Sequence, residues 1–372
     1  MSRCGEQTFF YDRPPRIAAR TSIAGPKEGK GPLRDSFDVV LDDDLLGMKS
    51  WELAEGEMLR RAAQQTADKA QLPLEQIQLF ITGDLNNQII ASGFAARALA
   101  VPFLGQYGAC STFIQSLVLG CALVSGGMAD NALCAASSHF CTAERQFRFP
   151  LEMGNQRPPQ ASWTATACGC ALVMPGTTGE GLYVTHGTVG RVVDLGIKDA
   201  NHMGAAMAPA VFDTIAAHFA DTGRSAADYD LIATGDLGWI GRELLKELLK
   251  RGDIDVPDEK LIDCGNSLFF ADQDAHAGGS GCGCVAAVSC GWIMRRIESG
   301  ELRRVPVLSG AGYARGRQRL RLRRGGDVRL ADEAHGARRA CARAGDRLGR
   351  DAQPYQHAAG TEHPLHFLRG LY

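Results

Sequence analysis

The chain has 372 residues, 45% of them hydrophobic and 22% charged, with 44 Gly and 15 Pro, the profile of a globular protein with a sizeable core in one large or two medium domains. A formal net charge of −2 and a pI near 6.5 give no electrostatic ground for nucleic acid as the main partner. No stretch approaches the roughly 20 apolar residues of a spanning helix, and the longest apolar run, Phe113 to Val124, is interrupted by Gln115, Ser116 and Gly120.

The chain opens Ser2-Arg3-Cys4-Gly5-Glu6, without a charged-then-apolar leader, so a cytoplasmic protein with at most peripheral membrane contact is expected. In chain order, Trp51, Ala54, Met58, Ala62 and Thr66 mark one face of a helix. An apolar strand follows over Gln76 to Leu85, ending Thr82-Gly83-Asp84-Leu85. Next come the small-residue turn Gly108-Ala109-Cys110-Ser111, a helical run Thr112 to Ser125, Gly126-Gly127, and a strand Ala132 to Ala136 leading into Ser137, Ser138 and His139. Arg145, Gln146, Arg148, Gln156 and Arg157 form a polar stretch, read as a solvated loop in preference to a carboxylate clamp. Small residues around Thr166 to Cys170 precede the apolar Ala171-Leu172-Val173 and permit close sheet packing. The polar loop holding Lys198 and His202 has the character of a pocket lid.

The order then recurs. Val211, Ile215 and Phe219 mark a helix face, and Tyr229 to Leu237 is a strand ending Thr234-Gly235-Asp236-Leu237. Gly278-Gly279-Ser280-Gly281-Cys282 precedes a helical run Val285 to Glu298, Gly300, and the strand Val305 to Leu308. Two halves that each read helix, strand, Gly-rich turn, buried helix, strand point to duplication and an α/β fold. The boundaries are placed at 1–175 and 176–311.

Twelve cysteines are scattered through the chain. Their closest pairs, Cys168/Cys170 and Cys282/Cys284, lack the spacing of zinc sites and read as small buried residues in Gly-rich, strand-like surroundings. His276 beside Asp272 and Asp274 is read as a solvated loop, not a metal site. Cys110 stands out because a helix starting near Thr112 aims free N–H groups at it. That setting either lowers a thiol pKa to make a nucleophile or holds a carboxylate; the residues alone leave both open.

Two such halves, with Cys in the turn before a central helix, resemble the thiolase and ketoacyl-synthase superfamily. The resemblance sharpens to the stage V sporulation protein AD (SpoVAD) family at Gly25-Pro26-Lys27-Glu28, Gly83-Asp84-Leu85-Asn86-Asn87-Gln88, Gly108-Ala109-Cys110-Ser111-Thr112, Ala136-Ser137-Ser138-His139, Glu144-Arg145-Gln146-Phe147-Arg148, Met207-Ala208-Pro209-Ala210 and Ala277 to Cys282. It covers about residues 7 to 310. It implies a five-layer αβαβα fold and a role in carrying dipicolinic acid into the developing spore, alongside membrane proteins of the same operon, from the cytoplasmic side of the forespore membrane. The implied ligand residues are Cys110, Ser111, Ser138, His139, Lys198 and His202. No cofactor is implied, and calcium enters only as the ligand's chelate. A homodimer supported by the 164–173 strand is compatible with the superfamily.

Where a ketoacyl synthase carries His-Gln-Ala-Asn, this chain reads Thr234-Gly235-Asp236-Leu237-Gly238, and its Gly-Asn-Thr-Ser segment reads Gly278-Gly279-Ser280-Gly281. Those departures point to a pocket kept and a reaction lost. The rivals are an acyltransferase using Cys110 on a thioester and a structural scaffold that binds no small molecule.

From about Gly312 the resemblance stops. Arg315, Arg317, Arg319, Arg321, Arg323 and Arg324 crowd together and apolar periodicity fades. Residues 312–372 are therefore expected to form a disordered tail that deprives the second half of its last strand. Their Arg, Ala and Gly content is what a shifted reading frame in a GC-rich gene yields.

Overall fold

The computed structural model describes residues 1–325 except 87, 149–150, 155, 178–180, 198, 200 and 312–314, with the backbone alone for 151, 311 and 315–325. Among the described residues, the main strands of the first half are β1 (Arg16–Ala24), β2 (Phe80–Asp84), β3 (Phe103–Gly105), β4 (Ala132–Ser138) and β5 (Ala167–Met174). Those of the second are β6 (Gly181–Val189), β7 (Ile232–Thr234), β8 (Leu261–Asp263), β9 (Arg304–Ala311) and β10 (Arg315–Gly325).

In the first half the order is β3-β2-β4-β5-β1; in the second it is β8-β7-β9-β10-β6. In both, the two pairings around the Thr-Gly-Asp-Leu strand are parallel and the next two antiparallel. The duplication read from the sequence is thus a duplication of topology. A short antiparallel pairing, Leu182 with Ile17 and Tyr183 with Arg16, joins the halves through β6 and β1.

The longer helices are α1 (Trp51–Lys69), α2 (Ile90–Leu99), α3 (Thr112–Ser125), α4 (Phe140–Phe147), α5 (Met203–Thr222), α6 (Gly238–Arg251) and α7 (Cys282–Val288). α7 continues through a π-turn, Ser289–Ile293, into Met294–Glu298. Ser50 caps α1 by accepting from the Leu53 amide at 3.3 Å, and the predicted face of Ala54, Met58, Ala62 and Thr66 is buried. α1 and α2 cover one outer face and α5 and α6 the other, while α3 and α7 lie between the two halves of the sheet. This is the five-layer arrangement.

The central layer is mostly apolar. Phe113, Ile114 and Leu117 of α3 and Val285 to Val288 of α7 are wholly buried. Gly169 lets α7 approach β5, because a Cβ there would lie 2.3 Å from the Ala286 carbonyl oxygen. Cys282 and Cys284 therefore sit at the start of a helix, not in strand-like surroundings. Among the described residues, nine of the ten free cysteines are buried. β5 is paired on both sides, by β1 and β4, and offers no free edge to a second copy.

The second half extends further than the sequence implied. Arg315–Gly325, expected to lie in an unstructured tail, forms β10 and pairs antiparallel with both β9 and β6. Leu320 and Leu322 alternate with arginines, the period-2 pattern of a strand, and Leu320 stands opposite Val307 and Gly187. β10 takes the place β5 holds in the first half, filling a gap that would leave two rows of backbone groups unpaired. The remainder of the proposed tail, 326–372, lies outside the described residues.

Candidate functional site

The site forms where the two halves meet, at the start of α3. Ala109 has a φ of +47°, unusual for a residue with a side chain, and turns the chain sharply into Cys110. The turn is pinned by local bonds. The Ser111 hydroxyl donates to the Gly108 carbonyl at 2.7 Å, the Thr112 hydroxyl donates to the Ala109 carbonyl at 2.7 Å, and the Gly108 amide donates to Thr112 Oγ1 at 3.1 Å. From β9, Ser309 Oγ donates to the Cys110 carbonyl at 2.6 Å.

The second half supplies Asp236, one residue short of Leu237, beyond the end of β7 and only 1% exposed. Its Oδ2 accepts from the Gly281 amide at 2.8 Å and from Ser280 Oγ at 3.2 Å, while Oδ1 is buried without a hydrogen-bond partner. Burial raises this carboxyl to a pKa of about 7, against the lowering effect of the neighbouring Cys110 thiol and the Gly281 amide. Burial, and then the charge of Asp236, push the Cys110 thiol well above its ordinary value. Of the two uses that the helix start leaves open, a resting thiolate is the one this environment disfavours. Desolvation and an adjacent carboxylate outweigh the dipole of α3.

Above Cys110 lies a cavity of about 150 Å³. Leu85, Ala109, Ala143, Ala161 and Met203 give it apolar walls, and Ser280 joins Cys110 at its floor. Half-exposed Tyr107 and Phe147 add aromatic surface. Among the described residues its cation is Arg148, just past the end of α4, whose Nε donates to Glu144 Oε1 at 3.0 Å and whose Nη1 donates to Asn201 Oδ1 at 3.3 Å. A cavity near 150 Å³ accommodates a single six-membered ring.

Among the described residues, Cys110 is the one expected ligand residue that lines this cavity. Ser111 is turned into its own loop, and Ser138 Oγ donates to the Ala165 carbonyl at 2.6 Å. His139 is 1% exposed; its Nδ1 accepts from the Cys141 amide at 3.2 Å, capping α4, and its Nε2 lies 3.0 Å from the Asp44 carbonyl. Burial lowers its pKa, so the ring is neutral and both nitrogens are spent on the fold. His202 caps α5 by accepting from the Ala205 amide at 3.2 Å, between the wall residues Asn201 and Met203. Lys198 lies outside the described residues.

Conversely, Arg145 and Gln146, read as part of a solvated loop, lie in α4, and Arg148 is its C-cap; Arg148 lines the cavity together with Glu144. Their i, i+4 spacing was the available signal. His276 Nε2 pairs with Asp274 at 3.1 Å, and its Nδ1 lies 3.0 Å from the Pro158 carbonyl. Among the described residues, no group of three or more His, Cys, Asp or Glu is placed to hold a metal ion.

The family described as Stage V sporulation protein AD (SpoVAD) matches residues 5–315. A curated relative, Stage V sporulation protein AD of Bacillus subtilis (strain 168), is 44% identical over 309 residues, covering 83% of this chain and 90% of the relative. The chain belongs to the SpoVAD family. This SpoVAD protein is thus a sporulation protein, and its fold is thiolase-like. A crystal structure of an OleA variant from Xanthomonas campestris aligns with a TM-score of 0.59 at 14% identity, covering 84% of this chain and 99% of that one. Cerulenin-bound OleA aligns with a TM-score of 0.59 at 14% identity, covering 85% and 100%. The SpoVAD match ends close to where the resemblance in the sequence stops, at the start of β10.

Proposed function

We propose that this SpoVAD-family protein binds dipicolinic acid, or its calcium chelate, without chemical turnover and serves its uptake into the developing spore. The observation that carries the reading is a ring-sized apolar cavity with Arg148 in its wall and the start of α3 at its floor. A planar pyridine between Leu85, Ala143 and Met203 places one carboxylate against Arg148 and the other toward Cys110 and Ser280. Arginine suits that task because its planar fork matches a carboxylate. Calcium enters only with the ligand.

The floor argues against turnover. Acyl transfer needs a thiolate and free donors for the developing oxyanion. Here the thiol is held protonated beside Asp236, and the Gly281 amide is committed to that carboxylate. Among the described residues no helix is long and apolar enough to cross a membrane. Delivery therefore requires membrane partners, which we take to be the proteins of the same operon, met peripherally at the forespore membrane.

Calorimetric titration of the folded chain with dipicolinate tests this. Saturable binding weakened in Arg148→Ala supports it, and absence of binding by protein with native circular dichroism refutes it. Thioester chemistry is the second reading, favoured by the strained Ala109 and the opening of Cys110 into the cavity. An intact-mass shift on Cys110 after incubation with cerulenin or an acyl thioester supports that alternative.

A further inference from the structure

Asp236 has no part in carboxylate binding as described so far, yet it underlies the cavity floor. Ser280 lines the cavity, and its hydroxyl lies 3.2 Å from Asp236 Oδ2. The carboxyl is 99% buried by its 1% exposure, and its Oδ1 lacks a partner. A carboxylate buried directly under an anion site is an electrostatic contradiction unless it changes its charge.

We propose that Asp236 sets the hydrogen-bond polarity of the cavity floor through Ser280, so that an anionic ligand is bound together with one proton. This rests on the anion-binding reading given above. When Asp236 is ionised, the Ser280 O–H donates to Oδ2 and shows only lone pairs to the cavity. When Asp236 takes a proton from solvent, its own O–H donates to Ser280 Oγ, and the Ser280 hydrogen is released to donate to a ligand carboxylate. The Gly281 amide keeps its lone pair on Oδ2 in both states. The same proton removes a negative charge from beneath the ligand.

The other groups around Asp236 do not duplicate this behaviour. Cys110 before α3, Cys264 after β8, and Cys282 and Cys284 of α7 are all pushed well above the usual thiol range by burial and stay protonated. Asp263 on β8 is raised by burial, but it accepts from Thr234 Oγ1 and from the amides of Leu237, Gly238 and Asn266, not from Ser280. On the cavity side stand Glu144, Arg148 and Tyr107, with His202 flanking. The Asp236 carboxyl, raised to about 7, is placed to change state near neutrality.

Asp236 is a positioning residue on this account, since it acts through Ser280. The test titrates the full chain with dipicolinate from about pH 6 to 9, in pairs of buffers that differ in protonation enthalpy. Above pH 7 the wild-type Kd should rise about tenfold per pH unit, with close to one proton taken up per ligand. Asp236→Asn mimics the protonated acid; it should bind at pH 9 about as tightly as wild type at pH 6, without proton uptake. His202→Gln should keep the wild-type slope. Binding by wild type with a flat Kd and no proton uptake overturns the proposal while leaving the anion site standing, as does an unchanged slope in Asp236→Asn. No saturable binding at any pH removes the anion site itself. Should Asp236→Asn fail to fold, proton uptake by the wild type decides alone.

Discussion

Replacing Arg148 with Ala tests the cavity most directly. A guanidinium carries five N–H donors; among the described residues, one serves Glu144 and one Asn201, which leaves the others for a ligand carboxylate. A hydrogen bond to a charged group contributes about 1.5–3 kcal/mol, so its loss weakens dipicolinate binding by about 10- to 150-fold. Truncation also strips Glu144 of its partner and leaves that carboxylate beside the incoming anion, which moves the loss toward the upper end. The fold should barely respond. The Arg148–Glu144 pair is an i, i+4 pair with both side chains nearly one-fifth exposed, and such pairs contribute about 0.3–0.5 kcal/mol. Titration calorimetry with thermal melts alongside separates the two effects. Arg148→Lys keeps the charge without the planar fork and should recover part of the affinity. A folded Arg148→Ala that binds within twofold of wild type would sink the argument that this guanidinium holds the ligand.

Four further outcomes follow from the same structure. Ala143 is 2% exposed and lines the cavity, so Ala143→Phe should put its own ring where the ligand ring goes and abolish binding in calorimetry, with a melt still cooperative. Because the charge of Asp236 raises the Cys110 thiol, Asp236→Asn should speed iodoacetamide alkylation of Cys110 at mildly alkaline pH, measured by intact mass; a slower rate contradicts the coupling. Burial, and then the nearby Asp84 carboxylate, push Glu55 up from 4.5 to about 8, against the lowering effect of the Thr142 and Ser137 hydroxyls that donate to it. The native state thus keeps a proton that the unfolded chain releases, and stability falls as pH rises through that window. Glu55→Gln should flatten the fall in Tm between about pH 5 and 8, and parallel melting curves for the two proteins rule this out. A chain ended after Ala311 lacks β10 and leaves facing edges of β9 and β6 unpaired; loss of cooperative melting in that truncation is expected, and a wild-type melt refutes the role given to β10.

The sequence determined the duplicated α/β plan. The apolar runs that lead into the two Thr-Gly-Asp-Leu strings became β2 and β7, each flanked by parallel neighbours, and the runs 112–125 and 285–298 lie within the two buried central helices. Those features are legible because strand and helix periodicity and Gly-marked turns act over a few residues. Cys110 was also legible, since the turn that presents it is local.

What lies across the chain was not. β10 looked like an unstructured arginine-rich tail because its order comes from two strands brought beside it, not from its own composition. Ser138 ends β4 and His139 follows it, a place where ligand contacts are common, yet Ala165, Cys141 and Asp44 claim their polar atoms. Arg148 read as solvent-facing until the fold set it across from Asn201 and Met203. The state of Cys110 was decided by Asp236, which the pairing of the two halves brings beside it. Local sequence fixes which segments become helices and strands; the charge of a buried group depends on every neighbour that replaces its water, and those neighbours are chosen by the tertiary fold.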